Sequence, residues 1–133
     1  MATAASDDLV GIPLFETLDA DDRAALASWF ELEAVSPGVK LTGEGAVGYT
    51  FFVLREGTAS VSIDGDEVRT LGPGDFFGEL ALLGDGRRTA TVTTESPSQV
   101  LALFGTEFRR LQQEYPKLAA RIESNLRETA QAA

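Results

Sequence analysis

The sequence contains no cysteine and no histidine. Without cysteine there are no disulfides, no thiolate metal ligands and no cysteine nucleophile. Without histidine, the commonest general base and the commonest metal ligand disappear together. A Ser-His-Asp hydrolase, a histidine-ligated cupin enzyme and a Cys/His zinc site are all excluded. Basic residues are scarce as well: 11 Lys and Arg stand against 21 Asp and Glu, a net charge of −10. Such a surface repels nucleic acid, whose binding needs clustered Lys and Arg to displace counterions. Direct DNA binding is therefore not expected, and the acidity reads as solubility. No stretch approaches the roughly 20 apolar residues of a membrane span. Met1 to Asp8 lacks both a basic start and an apolar signal core, so a cytoplasmic protein is the expectation.

What is present fits one domain of 133 residues with an ordinary globular balance, 44% apolar and 24% charged. Residues 1–8 read as a flexible leader and 9–133 as a single domain. Asp19 is placed to cap a helix whose first turn carries Asp21 and Asp22, with Leu26, Trp29 and Phe30 at helical spacing behind them. Ile12, Leu14, Phe15 and Leu18 form a short companion element.

From about Glu31 the periodicity changes. Val39 to Thr42, Tyr49 to Leu54, Thr58 to Ile63, Glu67 to Leu71, Thr91 to Thr93 and Val100 to Phe104 read as short strands rich in β-branched or aromatic residues. Asp64-Gly65 supplies a hairpin signal, and Thr58 to Ile63 alternates, with Ala59, Val61 and Ile63 on one side. Thr106 can cap a helix to about Gln113, and Pro116 suits the first turn of a last helix. In that helix Leu118, Ile122 and Leu126 form one apolar stripe. The predicted fold is mainly β: a double-stranded β-helix, or jelly roll, over about 31–104. Helices at about 9–30 and about 106–130 flank it.

The stretch Phe76 to Val92, FFGELALLGDGRRTATV, carries the chemistry. Glu79 to Leu83 contains good helix formers, but Gly84 and Gly86 stop the helix after little more than a turn. One lone turn in a β protein exposes unpaired backbone N–H groups with partial positive charge, and Gly78 lets a ligand approach them. Such a site suits a phosphate. Arg87 and Arg88 follow on the next strand, and a guanidinium can meet two phosphate oxygens at once. Beside them, Glu79 can accept hydrogen bonds from a sugar hydroxyl. Taken alone, either residue would read as half of a surface ion pair. Arg87, one residue away, reads as solvent-facing.

This segment resembles the phosphate-binding cassette of the cyclic nucleotide-binding domain family, FGE-x-A-L followed after a short gap by R-[TSA]-A-x-V. Phe77 to Leu82 match the first half and Arg88 to Val92 the second, with Arg88 nine positions after Glu79 as in the family. The resemblance implies a binding set of Gly78, Glu79, Leu80, Ala81, Arg88, Thr89 and Ala90. Glu79 and the Gly78 amide would hold the ribose 2′-hydroxyl. Arg88 would pair with the cyclic phosphate, helped by the Ala81 and Thr89 amides. The resemblance also implies a non-enzymatic sensor with no catalytic cofactor. Its ligand is a cyclic mononucleotide, cyclic AMP ahead of cyclic GMP on family frequency, although Thr89 also resembles sites that take cyclic GMP. Its C-terminal helix would act as lid and relay to a protein effector, with the Leu118, Ile122 and Leu126 stripe as candidate lid, core packing or homodimer seam. An interaction module that keeps the fold without binding nucleotide is the rival from another class. No helix-turn-helix is seen after the last helix, so the effector stays open.

One further motif, Gly43 to Gly48, fits GxGxxG. The dinucleotide reading requires a helix directly after it, and Tyr49 to Val53 reads as strand, so that reading is rejected.

Overall fold

The computed structural model describes residues 2–45, 48–84 and 86–132. Two antiparallel sheets face each other, with helices packed on the outer face of one. The chain runs through β1 (Ala2–Thr3), α1 (Ala20–Ala27), β2 (Glu31–Val35), β3 (Lys40–Thr42), β4 (Thr50–Glu56), β5 (Ala59–Ile63) and β6 (Asp66–Leu71). It continues through β7 (Phe76–Phe77), α2 (Leu80–Leu83), β8 (Thr91–Thr94), β9 (Ser98–Phe104), α3 (Gly105–Glu114) and α4 (Pro116–Ala132). The sheets have the orders β1-β2-β9-β4-β7 and β3-β8-β5-β6. The fold is thus the expected β-roll flanked by helices.

The central pair β4 and β9 explains why the molecule has two cores. Thr50 to Leu54 lie opposite Phe104 to Val100 in register. Because side chains alternate across a strand, Phe51, Val53, Leu101 and Leu103 enter a core shared with the helices, where each is fully buried. Their neighbours Phe52, Leu54, Val100 and Ala102 enter a second core between the sheets. A strand buried on both faces has no polar side to show, hence the unbroken runs FFVL and VLALF.

Local signals act as read. Asp19 accepts a hydrogen bond from the Asp22 amide at 2.8 Å and caps α1. Asp64 and Gly65 both take positive φ, 54° and 82°, the conformation a two-residue hairpin between β5 and β6 demands. The last helix does begin at Pro116. Among the described residues, no helix is long and apolar enough to cross a membrane.

Several expectations are corrected. Within the segment read as a leader, Ala2 and Thr3 pair with Leu32 and Glu31, and Ala4 is buried. The Ala4 amide also donates to Phe30 O at 2.9 Å, a backbone pairing at the β2 edge that a small polar composition does not reveal. Thr106 lies inside α3, whose N-cap is Phe104; the Gly105 amide donates to Tyr49 O at 2.6 Å. Arg88 precedes β8 in irregular backbone, while Arg87 makes only an isolated bridge. The short β7 escapes the sequence reading because two residues carry no period. The stripe Leu118, Ile122 and Leu126 lies in the helix-side core with Leu14, Phe15 and Leu26. Those side chains are at most 5% exposed, so in this conformation they build neither a lid nor a dimer seam.

Ile122 is fully buried. Ile122→Ala should therefore lower unfolding stability by about 2–5 kcal/mol, measured by urea denaturation; a loss below about 1 kcal/mol would mean that the helix-side core is not packed as described.

Candidate ligand-binding site

The site grows out of the turn after β6. Asp75 accepts a hydrogen bond from the Gly72 amide at 2.8 Å, closing that turn. Gly74 N donates to Leu54 O at 2.7 Å and Leu54 N donates to Asp75 O at 2.8 Å, fastening the turn to β4. The chain then pairs with β4 through β7, where Phe77 stacks on Phe52 with ring centroids 5.1 Å apart. Gly78 follows in the left-handed region, φ 78°, which sends the backbone out of the strand and into α2. The amides of Leu82 and Leu83 both donate to Glu79 O at 2.9 Å, so Glu79 stands at the head of that turn.

Arg88 returns to the same place from the other side. It is 9% exposed, an unusual degree of burial for a guanidinium. Its Nη2 donates to Thr50 O at 3.0 Å. Its Nη1 is buried with no hydrogen-bond partner among the described residues. A Cβ placed on Gly78 would lie 2.5 Å from that Nη1, so the bare Gly78 backbone and the guanidinium are in direct contact. Burial pulls the Arg88 pKa below its ordinary value, and the Glu79 carboxylate opposes that pull. A second anion at this point would act in the same direction as Glu79.

These groups open on a cavity of about 530 Å³, within the usual ~300–1,000 Å³ range for small-molecule sites. Gly78, Glu79, Arg88, Thr89 and Ala90 all line it, so the structure brings these sequence-derived candidates together. Leu80 and Ala81 belong to α2, and their side chains lie outside the described features. The opposite wall is apolar, built by Val61, Ile63 and Val68 with Leu71 and Val92. Arg69 and Arg87 also line the space, as do Pro13 and Leu14 from the N-terminal segment. Arg87 is exposed. No residue of α4 is among the lining residues described.

Sequence reasoning missed most of the apolar wall and the Thr50 carbonyl. Val61 and Ile63 had a signal, their shared face of an alternating strand. Arg69 had none, and a backbone acceptor leaves no mark on a sequence. The Gly43 to Gly48 loop leads into β4, a strand, as the rejection of a dinucleotide site requires. Its Ala46 and Val47 lie outside the described residues. Of the rest, Gly45 N donates to Arg88 O at 2.9 Å, and the Glu44 carboxylate accepts from Asp64 N at 2.8 and 3.0 Å. The loop thereby touches both the arginine segment and the β5–β6 hairpin. Chemically, the arrangement can take an anion at Arg88, a hydroxyl at Glu79 and a flat apolar group against the valines.

A family model described as cyclic nucleotide-binding domain matches residues 32–115. The cAMP-dependent protein kinase regulatory subunit of Eremothecium gossypii is 42% identical over 106 residues, 79% of this chain and 23% of that protein. The chain spans about a quarter of the length of the curated regulatory subunits it matches. The regulatory domain of Toxoplasma gondii PKA, crystallised with cAMP, is similar with a TM-score of 0.79 and 25% identity, over 96% of this chain and 49% of that one. The N-terminal domain of a transcriptional regulator from Streptomyces coelicolor has a TM-score of 0.78 and 28% identity, over 95% and 94% of the two chains.

A buried charge with a donor unused among the described residues contributes little to folding, because desolvation offsets its bond to Thr50 O. Arg88→Met is thus expected to change the stability of the ligand-free chain by no more than about 1 kcal/mol. A loss of about 3–5 kcal/mol in urea unfolding would mean that a charged partner had been removed.

Proposed function

Because the chain belongs to the cyclic nucleotide-binding domain family, we propose that it is a cyclic AMP sensor, a non-enzymatic regulatory module of the cytoplasm. The observation that carries this reading is the Arg88 guanidinium, buried beside Gly78 with Nη1 unpartnered among the described residues, in the wall of a cavity that also presents Glu79. A cyclic phosphate supplies acceptor oxygens for the unused donor and a negative charge for the desolvated cation. In this reading Glu79 and the Gly78 amide take the ribose 2′-hydroxyl, and the Ala81 and Thr89 amides assist at the phosphate. Leu80 and Ala90 complete the cassette. The base lies against Val61, Val68 and Leu71, whose apolar surface matches a purine face.

Cyclic GMP is the second reading, favoured by one placement. Thr89 and Arg69 both line the cavity. A hydroxyl can meet the guanine amino group, and a guanidinium can donate to guanine O6 and N7.

The output is proposed to run through the last helix to a protein effector. Leu14 lines the cavity, and its carbonyl accepts a hydrogen bond from Asn125 of α4 at 3.3 Å. One turn earlier, Arg121 donates to Thr17 O at 2.9 Å and pairs with Asp22 at 2.8 Å. A ligand that binds one placement of this N-terminal segment better than another shifts α4 by that difference in affinity and no more.

Calorimetric titration with cyclic AMP and cyclic GMP tests the reading. Arg88→Ala should weaken binding by roughly tenfold to a hundredfold, the worth of charge-assisted bonds of about 1.5–3 kcal/mol. Glu79→Gln should do less harm, since an amide keeps one acceptor oxygen. Unchanged affinity in Arg88→Ala would put the phosphate elsewhere. Heat-silent titrations with every cyclic mononucleotide, backed by an unmoved melting temperature, would leave the rival: a fold kept as an interaction module.

A further inference from the structure

The Gly43 to Gly48 loop is no dinucleotide site, yet its described residues are bonded to the segment that carries the arginine. Glu44 N donates to Thr91 Oγ1 at 3.0 Å, and Gly48 N donates to Gly86 O at 2.8 Å. With the bond from Gly45 to Arg88 O, the loop is fastened before, at and after Arg88. Gly48 itself goes further. A Cβ on it would lie 2.5 Å from Arg88 Nη2, 2.6 Å from Nε and 2.8 Å from Cζ, and these are its three nearest heavy atoms. The contact is with the guanidinium group itself.

Gly48 is not among the glycines with positive φ, so its backbone would accept an alanine. The missing side chain therefore serves a close approach and not a turn. With Gly78 against Nη1, the guanidinium meets a bare Cα at each of two places and donates to Thr50 O. A single methyl would displace it, because the end of a flexible side chain gives way before two hydrogen-bonded loops do.

We infer that Gly48 is a positioning residue: its lack of a side chain makes the slot in which the Arg88 guanidinium is held ready for an anion. Gly48 touches no ligand in this scheme and acts through Arg88 alone. The consequence for affinity rests on the cyclic nucleotide reading; the position of the guanidinium does not.

The test is Gly48→Ala, made in the wild-type chain and in Arg88→Ala, with two measurements. Hydrogen exchange of the Arg88 side-chain N–H groups, followed by NMR without ligand, reads where the guanidinium sits. Exchange should be at least about tenfold faster in Gly48→Ala, as for a group released from burial. Calorimetry with cyclic AMP should give a loss of about tenfold or more in the wild-type background. In the Arg88→Ala background the added methyl should change affinity by less than about twofold. Unchanged exchange in Gly48→Ala would overturn the inference, as would equal affinity losses in both backgrounds. If Gly48→Ala does not fold, a folded double variant supports the collision and an unfolded one refutes it. A wild-type chain that binds no cyclic nucleotide would end the sensor reading, and the exchange measurement would still decide the role of Gly48.

Discussion

A guanidinium taken out of water, with one hydrogen bond among the described residues, organises the candidate site. Arg88 donates to Thr50 O from Nη2, and its buried Nη1 has no partner among the described residues. Ordinary folding avoids such a group, since an unmet buried donor costs about 1–3 kcal/mol and a charge costs more. Its persistence requires the surroundings to hold it in place, and they do. The turn at Gly78 contacts it directly, the loop before β4 is bonded to its backbone, and Thr50 opens β4, one of the two central strands.

The rigidity behind that arrangement comes from β4 and β9. Both are buried on both faces, so two cores must be disrupted to move either strand. The functional groups are hung from this pair by short connections. The turn after β6 is fastened to Leu54, β7 pairs with Phe52 and Val53, and the arginine leans on Thr50. Gly78, Arg88 and Thr89 sit outside helix and strand, and the precision of their placement is borrowed from the adjoining strands.

Much of this was legible in the sequence because it rests on local rules. Asp19 announces a helix start, Asp64-Gly65 a hairpin, and the apolar runs at Phe51 to Leu54 and Val100 to Phe104 the central strands. The cassette was legible for a different reason: Glu79 and Arg88 are close in sequence, and their separation is itself informative. What escaped depends on contacts between distant segments. The pairing of Ala2 and Thr3 depends on the edge of β2, and the acceptor for Arg88 is a carbonyl 38 residues away. The stripe on α4 is a periodic signal that states which face is buried but not what buries it. Here the answer is the helix-side core, beneath Phe51, Val53, Leu101 and Leu103.

The bond between Glu44 and Asp64 reaches beyond the hairpin it caps. Asp64 terminates the β5–β6 wall, and Glu44 stands next to the glycine that bonds the arginine segment. One carboxylate on one amide thus ties the loop bonded to Arg88 O to the hairpin whose strands carry Val61, Ile63 and Val68 into the cavity wall. Parting the two segments would break a charge-assisted bond, so the cationic and apolar sides of the cavity move together more readily than apart.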